Sequence, residues 1–176
     1  LDGGDGADQL AGDAGRDSLD GGAGRDVLVG GGGPDTVEGG TDNDKVFGDA
    51  GRDRLFGGDG DDELQGGTED DRLFGEDGPD YLWGDDGADM LNGGRGDDLL
   101  QGGAGADALQ GRAGFDELWG GECGGAGGLA GAVDCRRVPT GRPPGNLSDE
   151  AGDAYAGGPG IDSCNKSPNL PDGCET

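Results

Sequence analysis

Aspartate recurs at every ninth residue from Asp8 to Asp116 without a missed beat. A repeat this short cannot bury a core of its own, so each copy must stack on its neighbours to form a solenoid or array. Read from Gly3, thirteen blocks of nine fill residues 3 to 119 without a gap, the first being Gly3-Gly4-Asp5-Gly6-Ala7-Asp8-Gln9-Leu10-Ala11. Slot one is Gly in all thirteen, and slot four is Gly in eleven, with Asp42 and Glu69 as the departures. Slot six is always Asp: Asp8, Asp17, Asp26, Asp35, Asp44, Asp53, Asp62, Asp71, Asp80, Asp89, Asp98, Asp107 and Asp116. Slot eight is always Leu or Val, from Leu10 through Val37 and Val46 to Leu118. With 31 Asp among 176 residues, thirteen hits in one preset slot have a chance probability of (31/176)^13, about 10⁻¹⁰. A period of nine rather than three excludes a collagen-like chain.

The two halves of a block have different physics. Glycines in slots one, two and four permit positive φ at little steric cost, so a tight turn can aim successive carbonyl oxygens at one point. The slot-six Asp adds a carboxylate. A hard cation such as calcium takes six to eight oxygens in flexible geometry, and such a loop supplies them. Slots seven to nine read as a short strand with one inward aliphatic side chain.

The composition makes a bound cation necessary. The chain has 47 glycines, is 30% hydrophobic, and sets 39 acidic residues against 12 basic ones for a net charge of −27. Low hydrophobicity with high net charge predicts disorder unless cations neutralise the carboxylates. The same charge repels phosphates and excludes nucleic acid as a partner.

The block G-G-x-G-x-D-x-U-x resembles the repeats-in-toxin (RTX), or haemolysin-type calcium-binding, family, and the resemblance covers 117 of 176 residues. Slot two is looser, with Asp13, Asp49, Glu76, Asp85 and Arg112 in place of Gly. The resemblance implies an all-β, right-handed parallel β-roll with two blocks per turn. It implies calcium between the loops of blocks i and i+2, so that Asp26 and Asp44 share an ion, as do Asp53 and Asp71. Both slot-six aspartates join carbonyls from slots one and three of one loop and slots two and four of the next. The implied carbonyl ligands include Gly3, Asp5, Gly21, Gly22, Gly24, Gly39, Gly40, Gly57, Gly58, Gly60, Gly75, Gly93, Gly94 and Gly96. Thirteen blocks make 13 − 2 = 11 such pairs, hence about eleven calcium ions. Fewer are expected near Asp42 and Glu69, where slot four has lost its Gly.

Other chemistries lack their residues. There is no histidine, which removes Ser-His-Asp and Cys-His catalysis and most zinc chemistry. Lys45 follows Asp44 and Lys166 follows Asn165, so no phosphate-binding Gly-Lys pair exists. Asp59-Gly60-Asp61-Asp62 starts like an EF-hand loop, but Leu64 stands where that loop needs Gly. No apolar run approaches the length of a membrane span. Arg16, Arg25 and Arg52, all in slot five, read as solvated loop arginines among acids. Phe56 and Phe74 hold slot nine of blocks i and i+2 and should be neighbours on one outer face.

After Trp119 the period is expected to end. Residues 120–146 read as a Gly/Pro-rich linker, including Val138 to Gly145 (VPTGRPPG), and 147–176 as a Cys-containing tail. The tail holds one degenerate repeat, Gly157 to Cys164, whose Asp162 has no obvious stacking partner. Asn146-Leu147-Ser148 fits a glycosylation triplet of little meaning in a bacterial chain. Cys123, Cys135, Cys164 and Cys174 lie outside the blocks with no C-x-x-C pair, which disfavours zinc and favours disulfides. Of three possible connectivities, Cys123–Cys135 with Cys164–Cys174 closes the shortest loops. Substrates of one-step bacterial secretion tend to lack cysteine, so this tail departs from that export pattern.

The expected function is a calcium-dependent folding module of a secreted, extracellular bacterial protein. An opening at Leu1-Asp2 with no Met reads as a fragment of a larger toxin, protease or lipase, whose remaining part is the expected partner. A structural or adhesive surface protein that uses the roll as a spacer is the alternative. The residues present are not expected to form an enzyme.

Overall fold

A computed structural model describes residues 1–120, 122–123 and 138–140. Strands β1 (Asp2–Asp5), β3 (Ser18–Ala23), β5 (Thr36–Thr41), β7 (Arg54–Asp59), β9 (Arg72–Asp77), β11 (Met90–Arg95) and β13 (Ala108–Ala113) pair in that order in one sheet. Strands β2 (Gln9–Ala11), β4 (Val27–Gly32), β6 (Lys45–Ala50), β8 (Glu63–Thr68), β10 (Tyr81–Asp86), β12 (Leu99–Gly105) and β14 (Asp116–Trp119) pair in order in a second sheet. That second sheet also includes β15 (Glu122–Cys123) and β16 (Val138–Thr140). Consecutive strands alternate between sheets, and partners within a sheet lie eighteen residues apart in parallel register, as in Leu55↔Leu73 and Leu82↔Leu100. The result is a parallel β-solenoid of about seven turns, two nonapeptides to the turn. No helix among the described residues is long and apolar enough to cross a membrane.

The core is one aliphatic side chain per strand. Leu19, Leu28, Val37, Val46, Leu55, Leu64, Leu73, Leu82, Leu91 and Leu100 are buried, while Leu10, Leu109 and Leu118 close the ends half-buried. Each fully buried Leu or Val contributes roughly 1.5–3 kcal/mol. Slot one also faces inward, and it must be glycine. A Cβ on Gly39 would stand 2.6 Å from both the Gly57 carbonyl oxygen and Asp44 Oδ2.

The strands are longer than the three residues expected from slots seven to nine. Most span six residues, slots seven to nine of one block and one to three of the next, as in β7 with the sequence RLFGGD. Glycine normally weakens a strand. Here the cross-strand partners skip slot one and resume at slots two and three, as in Gly40↔Gly58 and Thr41↔Asp59, so the glycines bend the ladder without ending it.

The pairing also runs past Trp119. Gly120-Gly121 repeats the slot-one and slot-two glycines, and Glu122 and Cys123 pair with Ala104 and Gly105 eighteen residues earlier. Within the segment read as linker, Val138–Thr140 pairs antiparallel with β14 and covers the open edge of that sheet. The Cys135, Cys164 and Cys174 positions, the favoured disulfides, the degenerate repeat with Asp162 and the 146–148 triplet lie outside the described residues.

Candidate metal centre

The turn between strands occupies slots four to six. Slots two and four take positive φ in every described loop except at Gly87, and glycine supplies it at φ 112° in Gly58 and 136° in Gly78. Asp42 and Glu69, the two departures from Gly in slot four, adopt the same region at φ 73° and 76°. Their loops therefore keep the shape of the others. The Asp42 and Glu69 carbonyl oxygens still press toward Gly60 and Gly87 of the next loop, as glycine carbonyls do elsewhere. At Asp42 the expected loss of a site has no counterpart in the backbone, whereas Gly87, which faces the Glu69 carbonyl, is the one slot-four glycine among the described residues outside the positive-φ region. The slot-two acids Asp13, Asp49, Glu76 and Asp85 likewise take φ between 68° and 81°.

Two sets of carbonyls converge in the gap between loops i and i+2. The loops Gly57–Asp62 and Gly75–Asp80 illustrate this. Gly60 O of the first points at Gly78 of the second, as Gly40 O points at Gly58 in slot two. Gly75 O points back, standing 2.7 Å from where a Cβ on Gly57 would be. Asp77 O also points back and accepts the Gly60 N–H at 2.9 Å. Slots two and four of one loop thus face slots one and three of the next, the reverse of the expected order, because the slot-two and slot-four carbonyls point up the solenoid and those of slots one and three point down it. The positions Gly3, Gly21, Gly39, Gly57, Gly75 and Gly93 are slot one, and Asp5 is slot three. Gly22, Gly40, Gly58 and Gly94 are slot two, while Gly24, Gly60 and Gly96 are slot four.

Slot-six aspartates form a ladder beside these carbonyls. The backbone N–H of Asp62 donates to Asp80 Oδ1 at 3.0 Å, and Asp44 N–H donates to Asp62 Oδ1 at 2.8 Å. The same bond links each slot-six residue from Asp8 to Asp98 to the Asp eighteen residues on. The other oxygen has no such partner. From Asp8 to Asp98, every slot-six Oδ2 is buried and makes no hydrogen bond. Asp107 and Asp116 are buried in the same column.

Burial pushes the carboxyls of Asp44, Asp53, Asp62, Asp89 and Asp98 up to about 6, Asp71 to about 7 and Asp80 to about 8. Loss of water is the largest cause in each. The hydrogen bond from the preceding Asp N–H opposes it, and neighbouring carboxylates add to it. A buried anion that lacks a partner is costly. A stack of them eighteen residues apart is self-consistent only with positive charge between the rungs.

The chemistry of the gap suits calcium. All the converging groups are oxygens: neutral carbonyls and one orphan carboxylate oxygen per loop. No group of three or more His, Cys, Asp or Glu side chains converges among the described residues, so carbonyls must make up much of any coordination shell. That is the ligand mixture a hard, flexible cation accepts. The family model for the RTX calcium-binding nonapeptide repeat matches four times, over residues 2–37, 29–64, 65–100 and 101–123. The last match ends where β15 ends, four residues beyond Trp119. No curated protein matches the chain. Period, carbonyl geometry, orphan carboxylates and family match agree, and the chain belongs to the RTX calcium-binding nonapeptide-repeat family.

Proposed function

We propose that this solenoid is a calcium-dependent folding module of a secreted bacterial protein, with one ion in each gap between loops i and i+2 and about eleven in all. The carrying observation is the column of buried slot-six Oδ2 atoms without a hydrogen-bond partner. Each is stabilised only if a cation joins it to the carbonyls of the facing loop, so metal binding is folding free energy. Eleven divalent ions carry +22 and bring −27 to about −5. Each ion orders a loop that is also half of the next site, which makes uptake cooperative. Calcium outside the cell then acts as the folding signal, in keeping with an extracellular destination. The role is structural rather than catalytic, since the buried acidic side chains are committed to the ladder. The rest of a longer chain is the natural partner.

Titration of the metal-stripped chain tests this. Without calcium it should be a coil of expanded hydrodynamic radius, and calcium at roughly 10⁻⁴–10⁻³ M should bring β signal and compaction. Native mass spectrometry should count about eleven ions, and magnesium should not replace them, because it demands near-ideal octahedral geometry. A compact β-rich state in excess chelator would overturn the reading. The adhesive alternative gains support only from the outer face described next.

A further inference from the structure

Slots seven and nine point outward on every strand, and the two sheets carry different chemistry there. On the seven-stranded sheet the slot-nine column runs Asp20, Glu38, Phe56, Phe74, Asn92, Gln110, so its aromatics sit together. On the other sheet the column runs Val29, Phe47, Gln65, Trp83, Gln101, Trp119 in direct register. Aromatic rings alternate there with amides. With strands about 4.8 Å apart, the aromatic stations recur about every 9.6 Å along the solenoid axis.

The first interval is a cavity of about 300 Å³ between Phe47 and Trp83, lined also by Glu63, Leu64, Gln65 and Asp85. Gln65 leaves it open by lying sideways, its Nε2 donating to Asp85 Oδ2. Tyr81 stacks on Trp83 with ring centroids 6.0 Å apart and 13° between planes, which thickens one wall. Lys45 is paired with Glu63 at the rim. The next interval, over Gln101, ends on Trp119, which is 40% exposed.

We propose that this face binds a neutral, extended oligosaccharide laid along the solenoid axis. A pyranose ring has an apolar C–H face and a rim of hydroxyls. The site offers the matching pair: aromatic surfaces, and between them amide and carboxylate groups that accept and donate hydrogen bonds. In a β-1,4-linked chain successive rings flip, so one face recurs every second ring, close to the two-strand repeat of the stations. The rim acids already have partners in Lys45 and Gln65, which suits hydroxyls better than a strong cation. Anionic polymers meet Glu63 and Asp85 in the cavity wall and a charge that stays negative, about −5, after eleven calcium ions are bound. The proposal rests on the calcium-folded roll, because the register that lines up the stations exists only there.

The test uses the full chain in saturating calcium, with cellobiose and cellohexaose as probes, followed by titration calorimetry and tryptophan fluorescence. Cellohexaose should bind about tenfold or more tightly than cellobiose, because it reaches more than one station. Trp83→Ala should weaken cellohexaose about tenfold, while Phe56→Ala, on the opposite sheet, should leave it unchanged. Circular dichroism must show the parent β signal in both variants. A folded roll that binds neither sugar, equal affinity for both, an unaffected Trp83→Ala, or binding of oligolysine in place of the sugar would overturn the proposal alone. A chain that stays a coil in calcium would overturn it together with the folding reading.

Discussion

Two buried columns run the length of the roll, and they differ in what they need. The slot-eight column is Leu and Val in van der Waals contact, satisfied by its own neighbours once the strands stack. The slot-six column is equally buried, with Asp62 at 0% exposure beside Leu64 at 0%, yet every Oδ2 from Asp8 to Asp98 lacks a hydrogen-bond partner. One block thus contains a self-sufficient half and a half that depends on a ligand. On the proposed function the second half makes folding conditional, since the fold cannot keep the aliphatic column without also burying the carboxylates two residues away.

The largest break in this comparison should come from the middle of the dependent column. Asp62 faces Asp44 on one side and Asp80 on the other through hydrogen bonds, so Asp62→Ala removes a rung from two gaps. Solenoid stability is a sum over neighbours, and a central lesion divides the array. Calcium-induced folding of Asp62→Ala should split into two transitions, or its midpoint should rise well above that of Asp8→Ala, which touches only the gap shared with Asp26. Equal midpoints for the two variants would break the stacking register.

In the self-sufficient column, Leu64→Ala should cost about 2–5 kcal/mol by the cavity it leaves. Calorimetric unfolding in saturating calcium reads it. The number of ions bound should be unchanged, which separates core packing from ligation. A fall in ion count would show that the two columns are not independent.

Acidity should sharpen the comparison further, because protons can take the place of calcium on the dependent column alone. The carboxyls of Asp44, Asp71 and Asp80 are pushed up to about 6, 7 and 8 from 3.8. A raised carboxyl value means that the charged form opposes folding. In metal-free protein that opposition is complete above about 8 and is released as pH falls toward 3.8. The metal-stripped chain should therefore gain β signal on acidification across that window, while the calcium midpoint of the loaded chain rises, since protons and calcium compete for the same oxygens. A metal-free chain that stays a coil at every pH would contradict the buried placement of these carboxyls.

Period and slot chemistry made most of this legible from the residues. Thirteen aspartates at an interval of nine require stacking, the family resemblance implies eighteen residues to the turn, and the register Leu55↔Leu73 is that interval. Slot eight could only be core. The length of the strands was hidden, because a Gly-Gly pair such as Gly57-Gly58 reads as an end to a strand and here continues the ladder. The extension through Cys123 was signalled by Gly120-Gly121 but masked by the missing Asp further on. The antiparallel cap at Val138–Thr140 carries no pattern at all, being three residues held by backbone bonds to β14. The outer aromatic–amide column was present in the residues, but only pairing at eighteen turns Phe47, Gln65 and Trp83 into neighbours.

The smallest expected effect lies in slot four, and it tests whether the loops need glycine or only its conformation. Glu69 holds φ at 76°, in the left-handed region that costs a non-glycine residue on the order of 1 kcal/mol or more. Glu69→Gly relieves that strain but gives the unfolded chain more freedom, an opposing term of about 0.4–1 kcal/mol. The substitution also removes a carboxylate whose charge helps to raise the Asp53 and Asp71 carboxyls, so a little of the cation's attraction is lost. These terms offset one another. The calcium midpoint of Glu69→Gly should stay within about fivefold of the parent, equivalent to about 1 kcal/mol, with the same ion count. Glu69→Val should do worse, because a β-branched side chain is a genuine outlier in that region. If Glu69→Gly instead added an ion by mass spectrometry, slot four would need glycine itself, and the site at Glu69 would be defective although Glu69 holds the positive φ of the turn.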